Sequence, residues 1–176
     1  MYFEKPGPEN TERTLELAIN ACKERGIKHL VVASTFGATA KQALEMIRAG
    51  DLKLVVVTHN YGFSEEGKCE FDPELRKEVE RAGHKVLSGT LVTRNLGKAI
   101  ALKMGGSESE IIANTLRIFG QGVKVAADHG LVPFEDCVFV AGTGRGADTA
   151  TVIRPAASNN FFNLKVREII CKPKSF

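Results

Sequence analysis

Unbroken β-branched runs alternate along this chain with segments of helical period, and no other feature limits the fold as strongly. Leu30-Val31-Val32-Ala33 and Leu54-Val55-Val56-Val57 contain no polar residue. A strand with one wet face alternates apolar and polar side chains. A run without alternation predicts a strand covered on both faces, as in a parallel sheet. Around these runs the spacing changes to three and four. Leu15, Ala18, Ile19 and Cys22 form one stripe within residues 10–25, where Asn10 can cap the helix and Gly26 can stop it. Ala40, Ala43, Leu44 and Ile47 form another within residues 39–49, with Thr39 as its cap and Gly50 as its stop. Pro73 opens a charged helix over residues 73–82. The pattern predicts strands at residues 28–33, 52–58, 85–87, 137–141, 149–153 and 166–171, and further helices at 96–104, 108–119 and 123–129. This is an α/β chain with a mostly parallel sheet. The link from residue 141 to residue 149 is too short for a helical crossover, so that pair is expected to be antiparallel.

Composition narrows the function classes. The 176 residues suit one domain, and 43% hydrophobic with 26% charged residues argues against a disordered or fibrous chain. The net charge is +3 and no run of five basic residues occurs, so no nucleic-acid footprint is expected. The longest apolar runs are far too short to span a bilayer. Residues 1–10 are polar and carry two prolines, unlike a secretory signal, which points to a cytoplasmic chain. Cys22, Cys69, Cys137 and Cys171 are scattered, with no CxxC, so buried reduced thiols are expected rather than a metal site.

Ligands of open α/β sheets bind beyond the carboxyl ends of the strands, and three such ends carry chemistry. Ser34-Thr35-Phe36-Gly37-Ala38-Thr39-Ala40 leads from a strand directly into a helix. Hydroxyls and unpaired helix N–H groups there suit a phosphate, and Gly37 lets the backbone approach closely. No lysine follows the second hydroxyl, so this is not a Walker A loop. His59-Asn60-Tyr61-Gly62-Phe63 offers polar groups and two rings for a flat ligand. Gly142-Thr143-Gly144-Arg145-Gly146, followed by Asp148 and Thr149, has the glycine spacing of a dinucleotide loop but leads into a strand, which disfavours that site. Thr90, Thr93 and Arg94 are placed to line the same crevice. Asp128 and His129 read as helix-end structure, and His29 and His84 sit at the opposite edge.

The order of these elements, with Leu30 to Ala40 and Asp136 to Gly142 as its most specific stretches, resembles the pyruvate kinase C-terminal domain over roughly residues 10–172. The chain looks like small stand-alone archaeal proteins that consist of this domain alone. The resemblance implies an α/β/α three-layer sandwich with a mixed sheet of five or six strands. It also implies a homo-oligomer. In the kinases this domain holds a regulatory sugar-phosphate site, matched here by Ser34, Thr35, Gly37 and Thr39, with Phe36 where a small hydroxyl residue is usual. The catalytic barrel has no counterpart in these residues, so pyruvate kinase activity is not expected. Ser34, Phe36, Gly37 and Thr39 are also similar to the flavodoxin phosphate loop, and Tyr61 and Phe63 would flank a flavin.

The residues themselves support a phosphate-bearing ligand with a flat ring, and FMN is the best guess within that set. An oxidoreductase step carried by the flavin is one expectation. The alternative is a domain without enzymatic activity that senses a sugar phosphate or nucleotide, or that serves oligomerisation.

Overall fold

The computed structural model describes residues 1–47, 50, 52–89, 120–142 and 144–175. The unbroken runs become the centre of the sheet. In β2 (His29–Ala33), Leu30, Val31 and Val32 are wholly buried, and the same holds for Leu54 and Val56 of β3 (Lys53–Thr58) and Val138 and Val140 of β5 (Cys137–Ala141). β2 pairs in parallel with both β3 and β5, and β4 (Lys85–Ser88) extends the sheet in parallel beyond β3. β6 (Thr149–Arg154) is antiparallel to β5, as its short connection requires, and also to β7 (Lys165–Pro173). β1 (Tyr2–Phe3) closes the edge in parallel with β7. The described sheet therefore has seven strands, in the order β1-β7-β6-β5-β2-β3-β4, against the five or six the resemblance implies. The additional edge strand spans two residues, too few to leave a periodic pattern.

Alternate side chains divide the core between two faces. Leu30, Val32, Leu54, Val56, Val138 and Val140 join the cluster that includes Leu15, Ile19 and Cys22 of α1 (Thr11–Arg25), Ala40 and Ala43 of α2 (Ala38–Met46), and Leu75 and Val79 of α3 (Pro73–Arg81). Val31, Val55, Phe139 and Ile153 face the opposite way, toward Val123, Ala126 and Ala127 of α4 (Gln121–Asp128). This is the expected α/β/α layering. The expected helices at 96–104 and 108–119 lie outside the described residues. Among the described residues no helix is long and apolar enough to cross a membrane.

Two helix starts differ from expectation. Asn10 does not cap α1 with its side chain. Its Nδ2 donates to Lys5 O at 2.9 Å, and a 3-10 turn, Pro8–Asn10, leads into the helix instead. Thr39 lies inside α2, whose cap position is Gly37. Ser34 supplies the side-chain oxygen, accepting from Ala40 N at 3.3 Å. Three thiols pack as small apolar groups: burial pushes Cys22 and Cys137 up to about 12 and also raises Cys171. All four cysteines are free.

Candidate functional site

Strands β2, β3 and β4 step outward on one side of the sheet, and β5 returns on the other side of β2. The connections leaving the carboxyl ends of β2 and β5 separate there, which opens a crevice. Helices that run opposite to parallel strands begin at that same edge. Thr11 of α1, Ala38 of α2 and Gly122 of α4 accordingly line one cleft of about 730 Å³. A helix start presents N–H groups that have no acceptor within the helix, together with the positive end of the helix dipole. Gly122 is needed for the close approach of α4, because a Cβ there would lie 2.7 Å from the Phe139 ring.

The β2–α2 turn provides the floor. Gly37 has φ +110°, a conformation that requires glycine, and a Cβ on it would lie 2.6 Å from Leu75 Cδ2 and displace the end of that side chain. With Ala40 N bonded to Ser34 Oγ, the amides of Ala38 and Thr39 have no intrahelical acceptor. Ser34, Thr35, Phe36, Ala38 and Thr39 line the cleft, while Gly37 and Ala40 stand behind it. Thr35 O accepts from Thr58 Oγ1 at 2.9 Å, and Thr35 Oγ1 lies 3.5 Å from His59 Nε2. Phe36 is 71% exposed at the mouth.

Beyond β3, the cleft lining includes His59 but not Asn60, Tyr61, Gly62 or Phe63. Phe63 stacks on His59, with ring centroids 3.8 Å apart. Asn60 Nδ2 donates to Tyr61 O at 2.8 Å, and the Tyr61 ring is exposed. The two rings expected to flank a ligand therefore lie outside the cleft wall.

The glycine loop after β5 places Gly142, Gly144, Arg145 and Gly146 on the cleft. It folds tightly on itself, since a Cβ on Gly142 would lie 2.1 Å from Gly146 O. Asp148 and Thr149 are fully buried and do not line the cleft. Asp148 accepts from Gly7 N at 3.3 Å and from Thr149 Oγ1 at 3.1 Å, which ties the N-terminal arm to β6. Ala147 N donates to Thr11 Oγ1 at 2.9 Å in the same junction. Thr90, Thr93, Arg94 and Thr143 lie outside the described residues.

The charge on the cleft wall is one-sided. Its described lining contains Arg145 and His59 but no Asp or Glu, in a chain that has 21 such residues. Glu70 stands one step behind, with Oε2 3.3 Å from His59 Nδ1, a contact that becomes an ion pair when the ring is protonated. No spacing or motif marks Glu70, Thr11 or Gln42, and the last two reach the cleft wall only through the packing of α1 and α2.

The other candidates are structural. His84 Nδ1 accepts from Leu54 N at 3.3 Å, and burial lowers its basicity. Burial pushes the Asp128 carboxyl up, but hydrogen bonds from Ser158 and Lys124 outweigh this and hold it below the usual range. His129 Nδ1 lies 2.8 Å from Val125 O. Among the described residues no three His, Cys, Asp or Glu side chains gather into a metal-ligating group.

A model of the family described as pyruvate kinase, alpha/beta domain matches residues 12–153. Among solved structures, a pyruvate kinase from Cryptosporidium parvum aligns with TM-score 0.44 and 14% identity, covering 82% of this chain and 22% of that one. A Cryptosporidium parvum pyruvate kinase in complex with ADP aligns with TM-score 0.43 and 16% identity, covering 86% and 25%. The chain thus spans at most a quarter of the length of the kinases it matches. With the family match running from α1 through β6, the chain belongs to the pyruvate kinase alpha/beta domain family.

Proposed function

We propose that the cleft binds a phosphorylated, ring-bearing cofactor, and that FMN is the member of that class its walls suit best. One observation carries the reading: the helix starts of α2 and α4 and Arg145 meet in a cleft of about 730 Å³ whose described lining has no carboxylate. That volume lies within the usual range for cofactor pockets, roughly 300–1,000 Å³. The amides of Ala38 and Thr39, with Arg145, would hold the phosphate. Val57, Phe139 and the exposed ring of Phe36 supply an apolar wall for a flat ring system. Phe36 replaces Tyr61 and Phe63 as the aromatic available to the ligand. When bound, the flavin would supply electron transfer, and the protein would supply binding and orientation. The family match is to the α/β domain, and the kinase reaction is not part of this reading.

An absorbance scan of freshly purified protein, followed by mass analysis of ligand released by acid, tests the proposal. Two flavin bands and an FMN mass are expected. Protein that stays colourless, and whose melting temperature does not move with added FMN, overturns the flavin assignment. A rise in melting temperature with sugar phosphates alone would then assign the same anion site to an effector.

A further inference from the structure

Glu70 is half-buried where an exposed loop returns to the core, between half-buried Cys69 and buried Phe71. Its side chain is 9% accessible, whereas Glu65 and Lys68 beside it are 69% and 64% accessible and pair with each other. A carboxylate leaves water at a cost unless it gains partners. Those of Glu70 are the Ser64 hydroxyl and His59 Nδ1. Phe63 packs against the imidazole with the two rings tilted by 36°. The other nitrogen, Nε2, faces Thr35 Oγ1 at the turn into α2, on the cleft wall. One end of the imidazole thus meets a buried carboxylate and the other meets the anion cleft. A carboxylate and a bound anion both favour the charged ring, which then donates from both nitrogens.

We propose that His59, positioned by Glu70, is a proton-linked contact through which the cleft selects a terminal phosphate monoester in its dianionic form. The proposal rests on the reading of the cleft as a phosphate site. A monoester carries a second negative charge near neutral pH that a diester lacks. The imidazolium supplies the matching charge beside Thr35, and Arg145 supplies another from the glycine loop. Glu70 meets His59 Nδ1 from its own loop, and Arg145 lines the same cleft. Binding is therefore coupled to one proton on His59, taken from solvent wherever the free protein holds that ring neutral.

The test is affinity against pH, from pH 7 to 9, for three probes: inorganic phosphate, FMN, and riboflavin 4′,5′-cyclic phosphate, which has the same ring but a singly charged phosphate. For the first two, affinity is expected to fall about tenfold per pH unit above the titration of His59. The cyclic ester is expected to bind more weakly at pH 7 and with a shallower pH dependence. His59→Gln removes the slope and leaves wild-type FMN binding at the weak, high-pH level. Glu70→Gln keeps the slope but moves it to lower pH, which a merely structural carboxylate would not do. Unchanged melting temperatures identify the variants as folded. A His59→Gln protein with wild-type affinity and slope overturns the inference and leaves the cofactor reading standing. Phosphate that binds with the coupled proton while FMN does not bind supports the inference and removes the ring. Failure of phosphate and FMN at every pH removes the phosphate site, and the inference with it.

Discussion

Two glycine-bearing loops leave adjacent parallel strands at the same edge of the sheet, yet their backbones do opposite work. The turn after β2 runs into a helix, so the amides of Ala38 and Thr39, residues of the cleft wall, have no acceptor within the helix. The loop after β5 runs into an antiparallel strand, and its amides are used internally: Ala147 N bonds Thr11 Oγ1, and Asp148 N bonds Ala141 O. Gly37 serves the left-handed turn into α2 from behind the cleft, whereas Gly142 and Gly146 pack against each other on its wall. The element that follows the glycines decides which.

The difference can be broken from either side. Gly142→Ala should have the largest effect, on the order of 3 kcal/mol of lost stability by chemical denaturation, because its Cβ would meet backbone at 2.1 Å. Asp148→Ala should cost about 2 kcal/mol, since it removes a buried acceptor of Gly7 N and Thr149 Oγ1. FMN affinity per folded molecule, measured by fluorescence titration, should stay within twofold; a tenfold loss would put Asp148 in the binding machinery. Ala38→Asp inverts the pattern. A carboxylate in the first turn of a helix stabilises it by about 0.3–1 kcal/mol. It also faces the proposed phosphate, so FMN affinity should drop at least about tenfold, or roughly 1.4 kcal/mol. Retained affinity would place the phosphate elsewhere. Ser34→Ala sharpens the comparison, because it removes the acceptor of Ala40 N while adding no charge. A loss of about 1 kcal/mol in stability is expected, read by thermal melting, with only a minor change in affinity.

Much of the architecture was legible because its cause is local. Val31 to Val32 and Val55 to Val57 have no polar neighbours to face water, so a strand covered on both faces is the simplest answer. The eight-residue step from Ala141 to Thr149 rules out a crossover helix by length alone. The Ser34–Ala40 stretch announced a tight strand-to-helix turn because hydroxyls, a glycine and a helix start are contiguous. The site was legible only as a set of strand ends. Asp148 and Thr149 looked like ligand contacts because polar residues beside glycines usually face solvent. They are instead the buried clamp for an N-terminal arm whose path no local rule reveals. Tyr61 and Phe63 looked like ring partners because aromatics are scarce at strand ends, but Phe63 is taken by His59. Glu70 was hidden among charged neighbours, and only its burial distinguishes it.

The residues in order, without their spatial partners, set what each segment becomes: which runs are strands, which stripes are helices, where chain reversal needs Gly26 or Gly37, and that β6 must turn back on β5. Those outcomes depend on side-chain period and backbone sterics within a few residues. The meeting of Thr11, Ala38, Gly122 and Arg145 around one cleft was decided only by tertiary structure, as was the contact between Glu70 and His59, 11 positions apart in the chain. Strand order and helix direction bring those groups together, and both are settled by burying two apolar faces of one sheet at once, a condition that involves the whole chain.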